Sequence, residues 1–100
     1  MTKLYTLTIG LNDKVTLKQE VTTEQAIDLI FAAVGDCTIK EATGCYTMNY
    51  GKKTIEKSLF IEKLDFDEKF ELFRVIKELK NKLNQESVIY EVNESKSVLL

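Results

Sequence analysis

Leu4-Tyr5-Thr6-Leu7-Thr8-Ile9-Gly10-Leu11 and, further on, Thr22-Thr23-Glu24-Gln25-Ala26-Ile27-Asp28-Leu29-Ile30-Phe31-Ala32-Ala33-Val34-Gly35 decide the fold of this chain. In the first segment Tyr5, Leu7, Ile9 and Leu11 alternate with Thr6, Thr8 and Gly10, a period of two that predicts a strand with one buried face. In the second, Thr22 with Gln25 three residues later forms a capping box. Ile27, Ile30, Phe31 and Val34 then recur at helical spacing, and Gly35 supplies a left-handed stop. A half-buried strand followed by a helix with one apolar stripe begins an α+β layer structure.

Outward from that core the pattern repeats. Asn12-Asp13 reads as a turn, and Val15, Leu17, Gln19 and Val21 alternate with charged residues, which predicts an extra edge strand. Cys37 and Ile39 open a further strand. Its apolar phase then moves to Ala42, Gly44, Tyr46 and Met48, which predicts a bulge near Glu41–Gly44. Asn49-Tyr50-Gly51-Lys52 reads as a hairpin turn. The return strand, Lys53 to Leu64, has Ile55, Leu59 and Ile61 opposite Phe60. Asp65-Phe66-Asp67-Glu68 is a second capping signal, ahead of a stripe of Phe66, Phe70, Phe73, Ile76, Leu79 and Leu83 with Leu72 alongside. Ser87–Val92 predicts a last strand and residues 93–100 a tail. The order is that of a ferredoxin-like β-α-β-β-α-β domain over residues 1–100. Its expected architecture is a two-layer α+β sandwich: an antiparallel sheet of four or five strands with two helices on one face.

Composition narrows the function classes. The chain has 100 residues, a net charge of −2, two cysteines and no histidine, proline or tryptophan. Without histidine the usual general base and the commonest metal ligand are missing, which argues against an enzyme and against a metal or other cofactor. Cys37 and Cys45 match neither a zinc pattern nor a disulfide framework and read as small apolar residues in a reducing cytoplasm. No secretory leader or membrane-spanning run is visible. The charge offers no general attraction to nucleic acid, and Lys57–Leu64 lacks the glycine–aromatic pattern of an RNA-reading strand. The basic run Arg74, Lys77, Lys80 and Lys82 matches the negative end of a helix dipole. The acidic run Asp65, Asp67, Glu68 and Glu71 lacks the ligand spacing of a calcium loop.

What remains is the sheet face the helices leave uncovered. Thr6 and Thr8 belong to it, with Tyr46, Met48 and Phe60 as its apolar groups, and Tyr50 and Lys52 stand at the hairpin tip. Tyr46, Met48, Tyr50, Lys52 and Phe60 are therefore the candidate partner-binding residues, tyrosine being favoured at interface hot spots.

Three stretches, Leu4–Asp13, Gly35–Gly44 and Leu83–Val88, resemble in order and spacing a small ferredoxin-like family of phages, mobile elements and Gram-positive bacterial genomes. The resemblance implies the same α+β fold, carries over no catalytic residues and implies an accessory role such as counter-defence. The sequence thus predicts a small non-enzymatic protein-binding accessory protein of the cytoplasm. Its expected action is inhibition of a host defence protein such as a CRISPR effector nuclease (anti-CRISPR activity). The alternative is a homodimer that closes its sheet face with its own copy and binds a small ligand at the seam.

Overall fold

Tyr5, Leu7 and Ile9 of strand β1 (Thr2–Gly10) are buried on one face, as their alternation requires, while Thr6, Thr8 and Gly10 look the other way. The computed structural model describes residues 2–47 and 51–95. After β1 come α1 (Thr23–Val34), β2 (Thr38–Thr47), β3 (Lys53–Asp65), α2 (Leu72–Lys82) and β4 (Ile89–Ser95). The sheet order is β2-β3-β1-β4, antiparallel throughout. Two helices over one face of a four-stranded sheet give the expected α+β sandwich. No described helix is long and apolar enough to cross a membrane.

The core joins Leu7, Ile9, Leu59 and Ile61 of the sheet to Ala26, Ile30, Ala33 and Val34 of α1 and to Leu72, Val75 and Leu79 of α2. The capping box at the start of α1 is complete: Gln25 N–H donates to Thr22 Oγ1 at 3.0 Å, and Thr22 N–H donates to Gln25 Oε1 at 2.9 Å. Gly35, at φ 80°, ends the helix and donates its N–H to the Phe31 carbonyl. The buried stripe differs from the expected one, because Phe31 is 58% exposed while Ala26 and Ala33 face the core. Small side chains let a helix approach its neighbours closely, so the packed face is chosen by fit as well as by apolar bulk.

Four further expectations are corrected. Residues 15–21 form no strand. The Asp13 carboxylate accepts N–H bonds from Val15 and Thr16, Leu17 adopts φ 61°, and a single bridge joins Asn12 to Gln19. Local side-chain hydrogen bonding has outcompeted the ladder there, leaving Val15 74% exposed. The bulge at 41–44 is also absent: every residue from Thr38↔Glu62 to Thr47↔Lys53 is paired in one register. Cys45 and Ile55 are exposed on the helix side of this outer hairpin, so no buried face dictates the apolar phase.

The third correction concerns α2, which starts at Leu72. The buried Asp65 carboxylate accepts N–H bonds from Phe70 at 3.0 Å and Lys69 at 3.4 Å, tying down a loop in which Glu68 has φ 59°. The α2 stripe is Leu72, Val75 and Leu79, and Phe73, 69% exposed, meets Tyr90 edge-on at 5.8 Å. Lastly, Asn93–Ser95, expected in the tail, extend β4 by pairing with β1. Residues 96–100, the rest of that tail, lie outside the described residues.

Candidate functional site

The register fixes the residues of the uncovered face row by row. Lys40, Phe60, Thr8 and Ile89 form one row, and Ala42, Ser58 and Gly10 the next. Gly44 and Glu56 follow, and then Tyr46 and Thr54. Two strand glycines thus sit close to one carboxylate. A Cβ on Gly10 would lie 2.6 Å from Glu56 Cδ, so the carboxylate occupies the space that glycine leaves open. One of its oxygens, Oε2, accepts the Asn12 N–H at 3.0 Å. A Cβ on Gly44 would similarly meet the Tyr46 ring, 2.7 Å from its hydroxyl oxygen. Glycine inside a strand often marks such close approach, and here both approaches converge on one end of the face.

That end is a cleft of about 530 Å³, within the range that holds a small organic ligand. Thr8, Gly10, Thr54, Glu56 and Ile89 form its floor, with Tyr46, Ile55 and Leu17 at its sides. Lys14, Lys52, Lys53, Asp13 and Glu86 add charge around it. The loop that failed to become a strand supplies one wall. It is bolted to the end of α2 by Asn84 Nδ2 donating to Asp13 Oδ2 at 2.9 Å and by Gln85 Nε2 donating to the Asn12 carbonyl at 2.6 Å. The Asn84 amide, followed by the Thr16 and Val15 N–H groups, holds the Asp13 carboxyl below its usual range, so this anchor is ionised at neutral pH.

Of the expected contact residues, Tyr46 and Lys52 border the cleft. Phe60 lies one row beyond Ser58 on the same face, between Lys40 and Thr8. Met48 and Tyr50 lie outside the described residues. Glu56, a carboxylate on the cleft's floor, escaped the sequence reading, which singled out only Ile55, Leu59, Ile61 and Phe60 on that strand. The signal for it was the pair of strand glycines, of which Gly44 was read as a bulge. Cys37 is half-buried, and burial pushes its thiol up, with Asp36 opposing the downward pull of Lys63. An uncharged thiol of this kind is a poor nucleophile.

The fold and site define a βαββαβ sandwich with a ligand-sized, carboxylate-floored cleft on its open sheet face. No family model and no curated protein matches the sequence. Among solved structures the chain is similar to a phage SAM lyase in complex with S-methyl-5′-thioadenosine. That match has a TM-score of 0.76 and 25% identity over 93% of this chain and 81% of the other. It is also similar to a phage SAM lyase in the apo state, with a TM-score of 0.71 and 24% identity over 91% of this chain and 78% of the other.

These likenesses support the coarse expectation of a phage-related small protein. They overturn the expectation of a non-enzymatic, protein-binding inhibitor of a CRISPR effector, since the matched proteins are enzymes and one holds a small molecule. The error lay in reading the missing histidine as evidence against catalysis. A reaction whose leaving group departs without a proton has no need of a histidine acid.

Proposed function

We propose that this chain, as one domain acting in the cytoplasm, binds S-adenosylmethionine in the open-face cleft and cleaves it as a lyase, with S-methyl-5′-thioadenosine as one product. The observation that carries the reading is the likeness to the thioadenosine-bound lyase, together with a cleft whose floor carries the Glu56 carboxylate, a counter-charge for a cation. S-methyl-5′-thioadenosine keeps the sulfur, its methyl group and the adenosine, so the bond that breaks joins sulfur to the four-carbon amino-acid chain. Both electrons of that bond go to the sulfonium sulfur, which leaves as a neutral thioether and needs no general acid. The departing carbon is satisfied when the substrate's own carboxylate closes on it, a step that needs no protein base and profits chiefly from orientation.

In this reading Glu56 binds the cationic part of the substrate and sets its position. The cost of aiming that carboxylate is met beforehand by the Gly10 gap and the Asn12 N–H. The Tyr46 ring, held over Gly44, offers a face to the sulfonium or the adenine. Ile89 and Leu17 offer apolar contact to the base. Tyr46 and Lys52 thus become ligand contacts in place of protein contacts.

The test is direct. Purified protein incubated with S-adenosylmethionine is expected to release S-methyl-5′-thioadenosine, followed by chromatography and mass spectrometry. Glu56→Gln, folded by circular dichroism, is expected to lose about 100-fold or more of that activity. Wild-type protein that leaves the substrate intact refutes the reading.

A further inference from the structure

Ser58 has no part in the roles above, yet its surroundings are unusual. It is 1% exposed on the open-face side of β3, and its Oγ has no hydrogen-bond partner among the described residues. Folded proteins rarely leave a buried hydroxyl unpaired, because the group has given up water for nothing. Alanine, which stands beside it on β2 as Ala42, would carry no such penalty. Its neighbour on β1 is Gly10, and the space above Gly10 is filled by the Glu56 carboxylate. Side chains of directly paired residues start about 5 Å apart, so the Ser58 side chain rises beside the space over Gly10 that this carboxylate fills. The hydrogen bond described for Glu56 runs to Oε2 from Asn12, so the carboxylate has accepting capacity to spare.

We propose that Ser58 is a positioning residue whose hydroxyl donates to Glu56 Oε1 when a cationic ligand occupies the cleft, while Oε2 keeps the Asn12 N–H. The unpaired hydroxyl is then a second anchor for Glu56, taken up when the ligand's positive charge turns the carboxylate's other oxygen toward it. Asn12 and Ser58 together hold the carboxylate in place against the ligand. The inference rests on the cleft being the S-adenosylmethionine site and adds to it a residue that acts through Glu56.

The experiment compares wild type, Ser58→Ala and Ser58→Thr by titration calorimetry against two ligands that share the adenosine. Sinefungin, an uncleavable analogue, carries a positive charge where the substrate has its sulfonium, and S-methyl-5′-thioadenosine is neutral there. Ser58→Ala is expected to bind sinefungin about tenfold more weakly and S-methyl-5′-thioadenosine as wild type does. Its melting temperature should be equal or higher, since a buried unpaired group is gone. Ser58→Thr, which keeps the hydroxyl, is expected to restore sinefungin binding. Wild-type affinity for both ligands in Ser58→Ala, or an equal loss for both with a lowered melting temperature, overturns the role of Ser58 alone. Wild type that binds neither ligand overturns the site itself, and the proposal with it.

Discussion

Gly10→Ala separates the cleft from the fold. The new Cβ would lie 2.6 Å from Glu56 Cδ and 2.7 Å from Oε2, whereas ordinary contact begins near 3.4 Å, so the carboxylate must retreat by about 0.8 Å. Nothing rigid stands in the way, because the clashing atoms are the far end of a flexible side chain. The retreat weakens the Asn12 N–H bond, whose net contribution is about 1 kcal/mol. Replacing glycine by alanine inside a strand returns about 0.5–1 kcal/mol through the unfolded chain. The two effects nearly cancel, so the midpoint of urea denaturation should move little, by less than about 1 kcal/mol in stability. Activity has no such compensation: misplacing a positioned group by about 1 Å costs on the order of 100-fold. Release of S-methyl-5′-thioadenosine by Gly10→Ala is therefore expected to fall about 100-fold in a protein of unchanged stability. A stable Gly10→Ala that cleaves S-adenosylmethionine at the wild-type rate would refute the link between the glycine gap and the carboxylate. A variant that fails to fold would refute the claim that only a flexible side chain fills the gap.

Three further outcomes test the frame. Ile30→Ala, in the core, should lose about 2–5 kcal/mol in urea denaturation, and Phe31→Ala, half out in solvent, less than about 1 kcal/mol; comparable losses would contradict the packed face of α1. Thr22→Ala, which breaks the capping box, should cost about 1 kcal/mol in the same assay, and no change would mean the cap is not formed in solution. Asp65 supplies a pH test. Burial works to raise its carboxyl, but the Phe70 N–H, the Asp67 side chain and the Lys69 and Asp67 N–H groups together hold it below its usual range. A lowered folded-state value means stability that is present above the unfolded value, near 3.9, and is lost as pH falls through the folded one. Asp65→Asn should therefore be less stable than wild type at pH 7, with the gap closing in acid, and a gap independent of pH would contradict an ionised anchor.

Much of this was legible because it is local. The Thr22–Gln25 cap needs four consecutive residues, and the Tyr5-Leu7-Ile9 alternation needs only the two-residue period of a strand. The βαββαβ order followed from such segments taken in turn. Phe31 and Phe73 were misassigned to buried faces because apolar bulk was taken as the measure of burial, while the small Ala26 and Ala33 let α1 pack closely. Val15 and Leu17 carried a strand pattern that lost to the Asp13 carboxylate, a competitor two to three residues away.

Within the candidate site the sequence exposed Tyr46 and Lys52 and concealed Glu56. The roles of Gly10 and Glu56 depend on each other across β1 and β3, 46 positions apart in the chain, and no local period reports such a pairing. By itself the sequence determined the βαββαβ order, the cap of α1 and the face the first strand buries, since each depends on neighbours within a turn or a pleat. Tertiary structure alone decided which helical face packs, that the outer hairpin keeps one register, and that Gly10, Glu56 and Tyr46 meet in one cleft. Those outcomes depend on which strands lie side by side, and only the folded sheet brings residues so distant in sequence within a few ångströms.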